Sequence, residues 1–163
     1  MRIAVGVGLS VLSPFCLIWA LPPTGAWLLV FVALVPMLLA QHRLLPTQLS
    51  GLAPCLTVGL LVILLAADAV RPVPSALIGL AIFLGGGQLL LGWIDRRLQL
   101  ASGYRWFVIA APLMIVGADV AQGSSAVAST WAYPAYALYA HRAFVAPVSV
   151  FTTDGLDFLI LAT

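Results

Sequence analysis

Five stretches of this chain, near residues 3–21, 25–40, 49–69, 75–94 and 106–120, hold no charged side chain except Asp68 and Asp119, each one residue from the end of its stretch. A helix needs about 20 mostly apolar residues to cross the hydrocarbon core of a bilayer. A water-soluble domain carries about 25% charged residues. Here charged residues are 7% and hydrophobic residues 63% of the chain, with a mean hydropathy of +1.15. The reading is an all-α integral membrane protein, a polytopic bundle of about five spans in one transmembrane domain, 1–163. A sixth apolar run over 143–163 is broken by Asp154 and Asp157, and only FLILAT follows, so a partial or broken sixth span and a truncated chain are expected. The first run is expected to be retained rather than cleaved as a secretory signal, because four more follow and no small-x-small cleavage site stands out.

The ionisable residues are narrow in kind. Every basic side chain is an arginine, Arg2, Arg43, Arg71, Arg96, Arg97, Arg105 and Arg142, and every acid is an aspartate, Asp68, Asp95, Asp119, Asp154 and Asp157. With a net charge of +2 and arginines scattered singly, nothing recommends a nucleic-acid partner. The same arginines set an orientation. With the N-terminus cytoplasmic, Arg2, Arg43, Arg96, Arg97 and Arg105 fall inside, and only Arg71 and Arg142 fall outside, in keeping with the positive-inside bias. This places LPPTG, DAVRPVPS and the aromatic segment 122–142 on the far side. Trp19 and Trp27 bracket LPPTG, and Trp93, Tyr104 and Trp106 bracket the fourth loop, as interfacial anchors do.

Breakers mark the runs from within. Pro14, Pro36, Pro54, Pro112 and Pro147 each sit in one, and the fourth has Gly85, Gly86 and Gly87 instead. Membrane helices tolerate these where neighbours satisfy the freed backbone groups, and small residues such as Ser75 and Gly79 allow close approach. A kinked, tightly packed bundle is expected. Cys16 and Cys55 lie in separate apolar runs and read as small core hydrophobes.

Asp119 is the acid that asks for an explanation, since charged side chains within a span usually mark function. It sits near the far-side end of its run, where water is in reach and Gln122 lies three residues on. A span-terminal polar residue is the plain reading. The far-side stretch STWAYPAYALYAHR adds Trp131, with Tyr133, Tyr136 and Tyr139 recurring every third residue. It reads as an interfacial segment on the outer leaflet or as one wall of a lipid portal made with Asp119 and Gln122.

Around these residues the run from RWFVIAAPLMIVGADVAQG through STWAYPAYALYAHR to TTDGLDFLI resembles the membrane part of apolipoprotein N-acyltransferases. In that family an apolar span with an early Pro ends in an acid, with Arg three residues later and then Gly. Asp119 stands where the family has Glu, Gln122 where it has Arg, Gly123 matches, and Trp131 falls near the family's Pro-Trp. The opening SPFCLIWALPPTGAWLLVFVALVPMLLA is similar to the family's first hairpin. The resemblance implies a multi-pass protein of the bacterial cytoplasmic (inner) membrane. It also implies contact with membrane phospholipid and a role in transferring an acyl chain to the N-terminus of a lipoprotein substrate.

The family's chemistry rests on a nitrilase-like domain whose Glu-Lys-Cys triad carries the acyl chain as a thioester. Covalent catalysis of that kind needs a nucleophile with a base in reach. This sequence has no Glu, no Lys and no cysteine beside a basic residue, so no catalytic residue is assigned. A separate nitrilase-like subunit is the partner such a module would need. Other constellations are weaker: His141 with Asp119 and Ser124 or Ser125 as a triad, or His141 with Asp154 and Asp157 around a metal. A solvated loop accounts for those residues better, and neither cofactor nor metal is expected. The competing class is a non-enzymatic polytopic protein: a scaffold, a transporter component or a lipid-binding subunit.

Overall fold

The computed structural model describes residues 1–66, 74–123, 134–146 and 148–163. All regular structure among them is helical. Four segments are long and apolar enough to cross a membrane: Arg2–Ala20, Trp27–Leu44, Thr47–Leu65 and Ser75–Ser102. Outward-facing Ile82, Phe83, Leu90, Leu113 and Val150 leave an apolar exterior, the kind of patch that marks a surface made to be covered.

Helix α1 (Arg2–Ala20) contains Pro14. Proline has no N–H, so the carbonyl of Ser10, four residues earlier, lacks its helical donor. The Thr57 hydroxyl of helix α3 (Leu52–Ala66) donates to that carbonyl at 2.9 Å, and both residues are buried. The end of α1 is closed by LPPTG. The Thr24 hydroxyl reaches the carbonyls of Trp19 and Leu21 at 2.9 Å each, and Ala26 N–H returns to Trp19 at 3.1 Å. Gly25, at φ +69°, supplies the left-handed turn.

The second segment is a helix of three pitches. A 3₁₀ turn (Trp27–Phe31) leads into α2 (Val35–Leu39), and α2 opens into a π turn (Ala40–Leu44) closed by Leu45 N–H to Ala40 at 2.9 Å. Pro36 stands at the start of α2, where its missing N–H costs nothing. The free Met37 N–H in that first turn is taken by Ser13 Oγ of α1 at 2.9 Å. The expected second span ended at Ala40; helical structure instead continues through Gln41, His42 and Arg43.

Helices α3 and α4 (Pro74–Ser102) form the most extensive helix pair. Glycine makes the approach possible. A Cβ at Gly51 would stand 2.0 Å from the Leu89 carbonyl oxygen, one at Gly85 2.9 Å from the Cys55 carbonyl oxygen, and one at Gly92 2.5 Å from Pro54 Cγ. Gly79, expected with Ser75 to allow close approach, faces open space, and of the three glycines expected as breakers Gly85 makes the close contact while Gly86 and Gly87 face open space. Helix α4 runs past the expected limit at Ile94 to Ser102.

Helix α5 (Phe107–Gly123) contains Pro112, and its apolar part, Phe107–Ala121, is shorter than the four long segments. A 3₁₀ turn (Pro134–Leu138), α6 (Arg142–Val145) and α7 (Val148–Ala162) follow. Over the run 143–163, expected to hold a sixth span broken at Asp154 and Asp157, α7 is too short to count among the spanning segments, and its break falls at Thr152 (φ 66°, ψ 175°). The main core joins Leu17, Val30, Met37 and Leu45 to Leu138, Leu156 and Ile160, and the last helix enters it alongside α5 and the Trp27–Phe31 and Pro134–Leu138 turns.

Candidate functional site

Polar side chains gather at two opposite ends. The first group surrounds Asp119, one turn before the end of α5. Helix α7 packs on α5, and its Asp154 and Asp157 lie close enough to Asp119 for the three carboxyls to act on one another. Asp157 is fully buried. It accepts the Ala135 N–H at 2.5 Å, tying α7 to the Pro134–Leu138 turn. Asp157 Oδ2 and Asp154 Oδ1 are buried without a hydrogen-bond partner among the described residues.

Of the residues expected to form a portal, Asp119 lies in this group. Tyr136 is exposed on the adjoining 3₁₀ turn, with Tyr139 exposed three residues on. Gln122 occupies the last full turn of α5, and its side chain lies outside the described residues, as do Trp131, Tyr133, Ser124 and Ser125 entirely. His141 packs at a tilt against Trp27 with ring centroids 4.5 Å apart, and Phe144 adds a second ring at 5.4 Å. Among the described residues no cluster of His, Cys and Asp is fit to hold a metal ion.

The second group, at the opposite end, is the more completely built. Gln41 Nε2 donates to Asp95 Oδ2 at 2.7 Å and to the Gly92 carbonyl at 3.2 Å. Gln99 Nε2 donates to Asp95 Oδ1 at 3.2 Å. His42 Nε2 stands 3.0 Å from Asp95 Oδ2, off the line of a hydrogen bond, and its Nδ1 has no partner. Gln41, His42, Asp95 and Gln99 are each at most 4% exposed. A carboxylate so deeply buried is tolerable only when its oxygens are matched, and here two amides and an imidazole surround it. A cavity of about 20 Å³ beside Gln41, Gln88 and Asp95 has room for about one water.

Arginine closes the network. The Arg96 guanidinium donates to the His42 carbonyl and to the Tyr104 hydroxyl. Tyr104 is placed by the end of α4. Its N–H returns to Gln99 at 2.9 Å, and the Gly103 N–H returns to Leu100 at 3.4 Å, the paired bonds of a Schellman ending. Gly103 takes φ +60° without cost, but Tyr104 takes φ +62° too, rare and strained for a bulky residue. Its ring packs edge-on to His42 at 5.7 Å and beside Phe107 at 5.9 Å. Arg97 lies over Trp93 at 4.2 Å.

Contacts gather the arginines. Gly6 near the start of α1 abuts Leu44 and Leu45, and Arg96 links the π turn to Tyr104. Arg2, Arg43, Arg96, Arg97 and Arg105 therefore share one end of the bundle, away from Thr24, Asp119 and His141.

Among the described residues neither cysteine has an activating neighbour. Cys55 lines an apolar groove of about 500 Å³ whose other lining residues bring no acid, base or cation, and Cys16 packs against the main core. A reactive thiolate needs an electropositive setting. Comparison with protein-family models, curated proteins and solved structures returned no match for this chain.

The sequence reading missed Gln41, His42, Asp95 and Gln99 as a site. One signal was available. Gln88, Gly92, Asp95 and Gln99 follow the 4-3-4 spacing of a single helix face, a polar stripe on an otherwise apolar helix.

Proposed function

We propose that the chain is a multi-pass module of the bacterial inner membrane, with its N-terminus and its arginine-rich end cytoplasmic. It resembles the transmembrane half of apolipoprotein N-acyltransferases and is not catalytic alone. Five spans with a broken sixth form the bundle. The supporting observation is the meeting of Asp119, Asp157 and the Ala135 turn at one end, where the resemblance puts its acid and its aromatic segment. Phospholipid reaches that end from the bilayer, and a separate nitrilase-like subunit brings the nucleophile for acylation of a lipoprotein.

The reading is tested by lipopeptide acylation in proteoliposomes. A nitrilase-like domain bearing Glu, Lys and Cys is added to the chain, and each is assayed alone. Transfer is expected only with both. Transfer by the chain alone would overturn the reading. No gain over the domain alone would also overturn it, and would return the chain to the class of non-enzymatic lipid-binding subunits or scaffolds.

A further inference from the structure

The arginine-rich end carries a groove of about 480 Å³ between the second segment and α5, within the roughly 300–1,000 Å³ of ligand pockets. Its lining divides by chemistry. Val35, Leu38, Leu39, Phe107 and Val108 form apolar walls, while His42, Arg43 and Tyr104 bring the polar groups. Leu39 and Val108 are exposed on the outer surface of the bundle, so the groove opens sideways along an apolar face.

The charge at this end is unbalanced. Arg43 is exposed and has no ion pair among the described residues. Asp95, the carboxylate of this end, is engaged by Gln41, Gln99 and His42 and does not line the groove. The Tyr104 oxygen accepts from Arg96, which leaves the hydroxyl hydrogen free to donate. An anion bound here meets a guanidinium and a hydroxyl, with Arg96 behind them. Basic pockets between membrane helices hold anionic headgroups in this way.

We propose that this groove binds one anionic phospholipid, its phosphodiester at Arg43 and Tyr104 and an acyl chain along Val35, Leu39 and Val108. A soluble anion has no use for the apolar walls, and a zwitterionic lipid brings its own ammonium into a field of arginines. The site lies at the end opposite Asp119 and rests on the membrane reading alone, not on acyl transfer.

The test is native mass spectrometry of the full chain, purified in detergent, delipidated, and titrated with phosphatidylglycerol or phosphatidylcholine. One phosphatidylglycerol per chain is expected, half-saturating at about tenfold lower concentration than phosphatidylcholine. Arg43→Gln is expected to erase that preference. Val108→Trp, which fills the groove from its outer wall, is expected to abolish retention of either lipid, and Arg97→Gln to change nothing. Equal retention of both lipids would overturn the assignment, as would wild-type binding by both groove variants or displacement by inorganic phosphate. A chain that stays dispersed without detergent would sink the membrane reading before any lipid is added. A detergent-dependent chain with no lipid preference would sink only the groove.

Discussion

The hydroxyl of Thr57 serves the carbonyl of Ser10, 2.9 Å away on another helix, because Pro14 has removed the donor that carbonyl would otherwise have. The proline and the threonine are 43 positions apart and act as one unit. Thr57→Val is expected to lower stability by about 1 kcal/mol, in the range of interhelical hydrogen bonds within membranes. In a Pro14→Ala background the Ser10 carbonyl regains a helical donor, and Thr57→Val is then expected to cost less. A double-mutant cycle by unfolding in mixed micelles reads the coupling. Additive losses would break the link between the two residues.

The α3–α4 contact makes a sharper demand. Gly51→Val and Gly92→Leu are expected to destabilise by at least 1–3 kcal/mol through overpacking, because the obstructing atoms are the Leu89 carbonyl and the Pro54 ring. Gly86→Ala and Gly87→Ala, which face open space, are expected to be neutral or stabilising by up to about 1 kcal/mol. Thermal unfolding in detergent separates the two pairs.

Asp95 is the hub of its end of the bundle. Asp95→Leu removes the acceptor shared by Gln41 and Gln99 in the interior, and a loss of about 1–3 kcal/mol is expected for each donor left unmatched. Asp95→Asn keeps the shape and one acceptor oxygen, so a smaller loss is expected. The ranking is checked by the fraction of folded protein recovered after extraction, and equal losses would deny Asp95 that role.

At the other end, Asp157 holds the Ala135 amide. Asp157→Ala is expected to accelerate hydrogen exchange at Ala135 by about tenfold, the effect of losing roughly 1.4 kcal/mol of protection, while the amides of α3 keep their rates.

The shared end of the arginines predicts a labelling pattern. In a cysteine-free background, single cysteines at Arg43 and Arg105 are expected to react with an impermeant maleimide from one side of the membrane. Cysteines at Thr24 and Tyr139 are expected to react from the other. Both sets reacting from the same side would contradict the proposed topology.

Much of this arrangement was legible in the runs themselves. Ile3–Leu21 and the stretch from Ser75 are apolar for a full span, and Pro14 and Gly85 announced strained or close contacts. What stayed hidden was polar and helical together. Residues 41–43 and 95–99 read as loop because of their charges and amides. They are helical and buried because Gln41 and Asp95, 54 positions apart, neutralise one another's cost of burial. The aromatic ladder was visible as a period of three, but neither Trp131 nor Tyr133 lies in the described residues. Asp119 was visible as an oddity, whereas its neighbours Asp154 and Asp157 required the return of α7.

The π turn at Ala40–Leu44 holds one residue more than an α turn would. Removing any single residue there would restore ordinary pitch and rotate everything before it by about 100° relative to everything after. Met37 before the turn would then turn away from Ser13, or Leu45 after it from Gly6, but both could not be kept. The extra residue is thus the phase adjustment that lets one helix satisfy two unrelated partners, and shortening it by one should be worse tolerated than most substitutions within it.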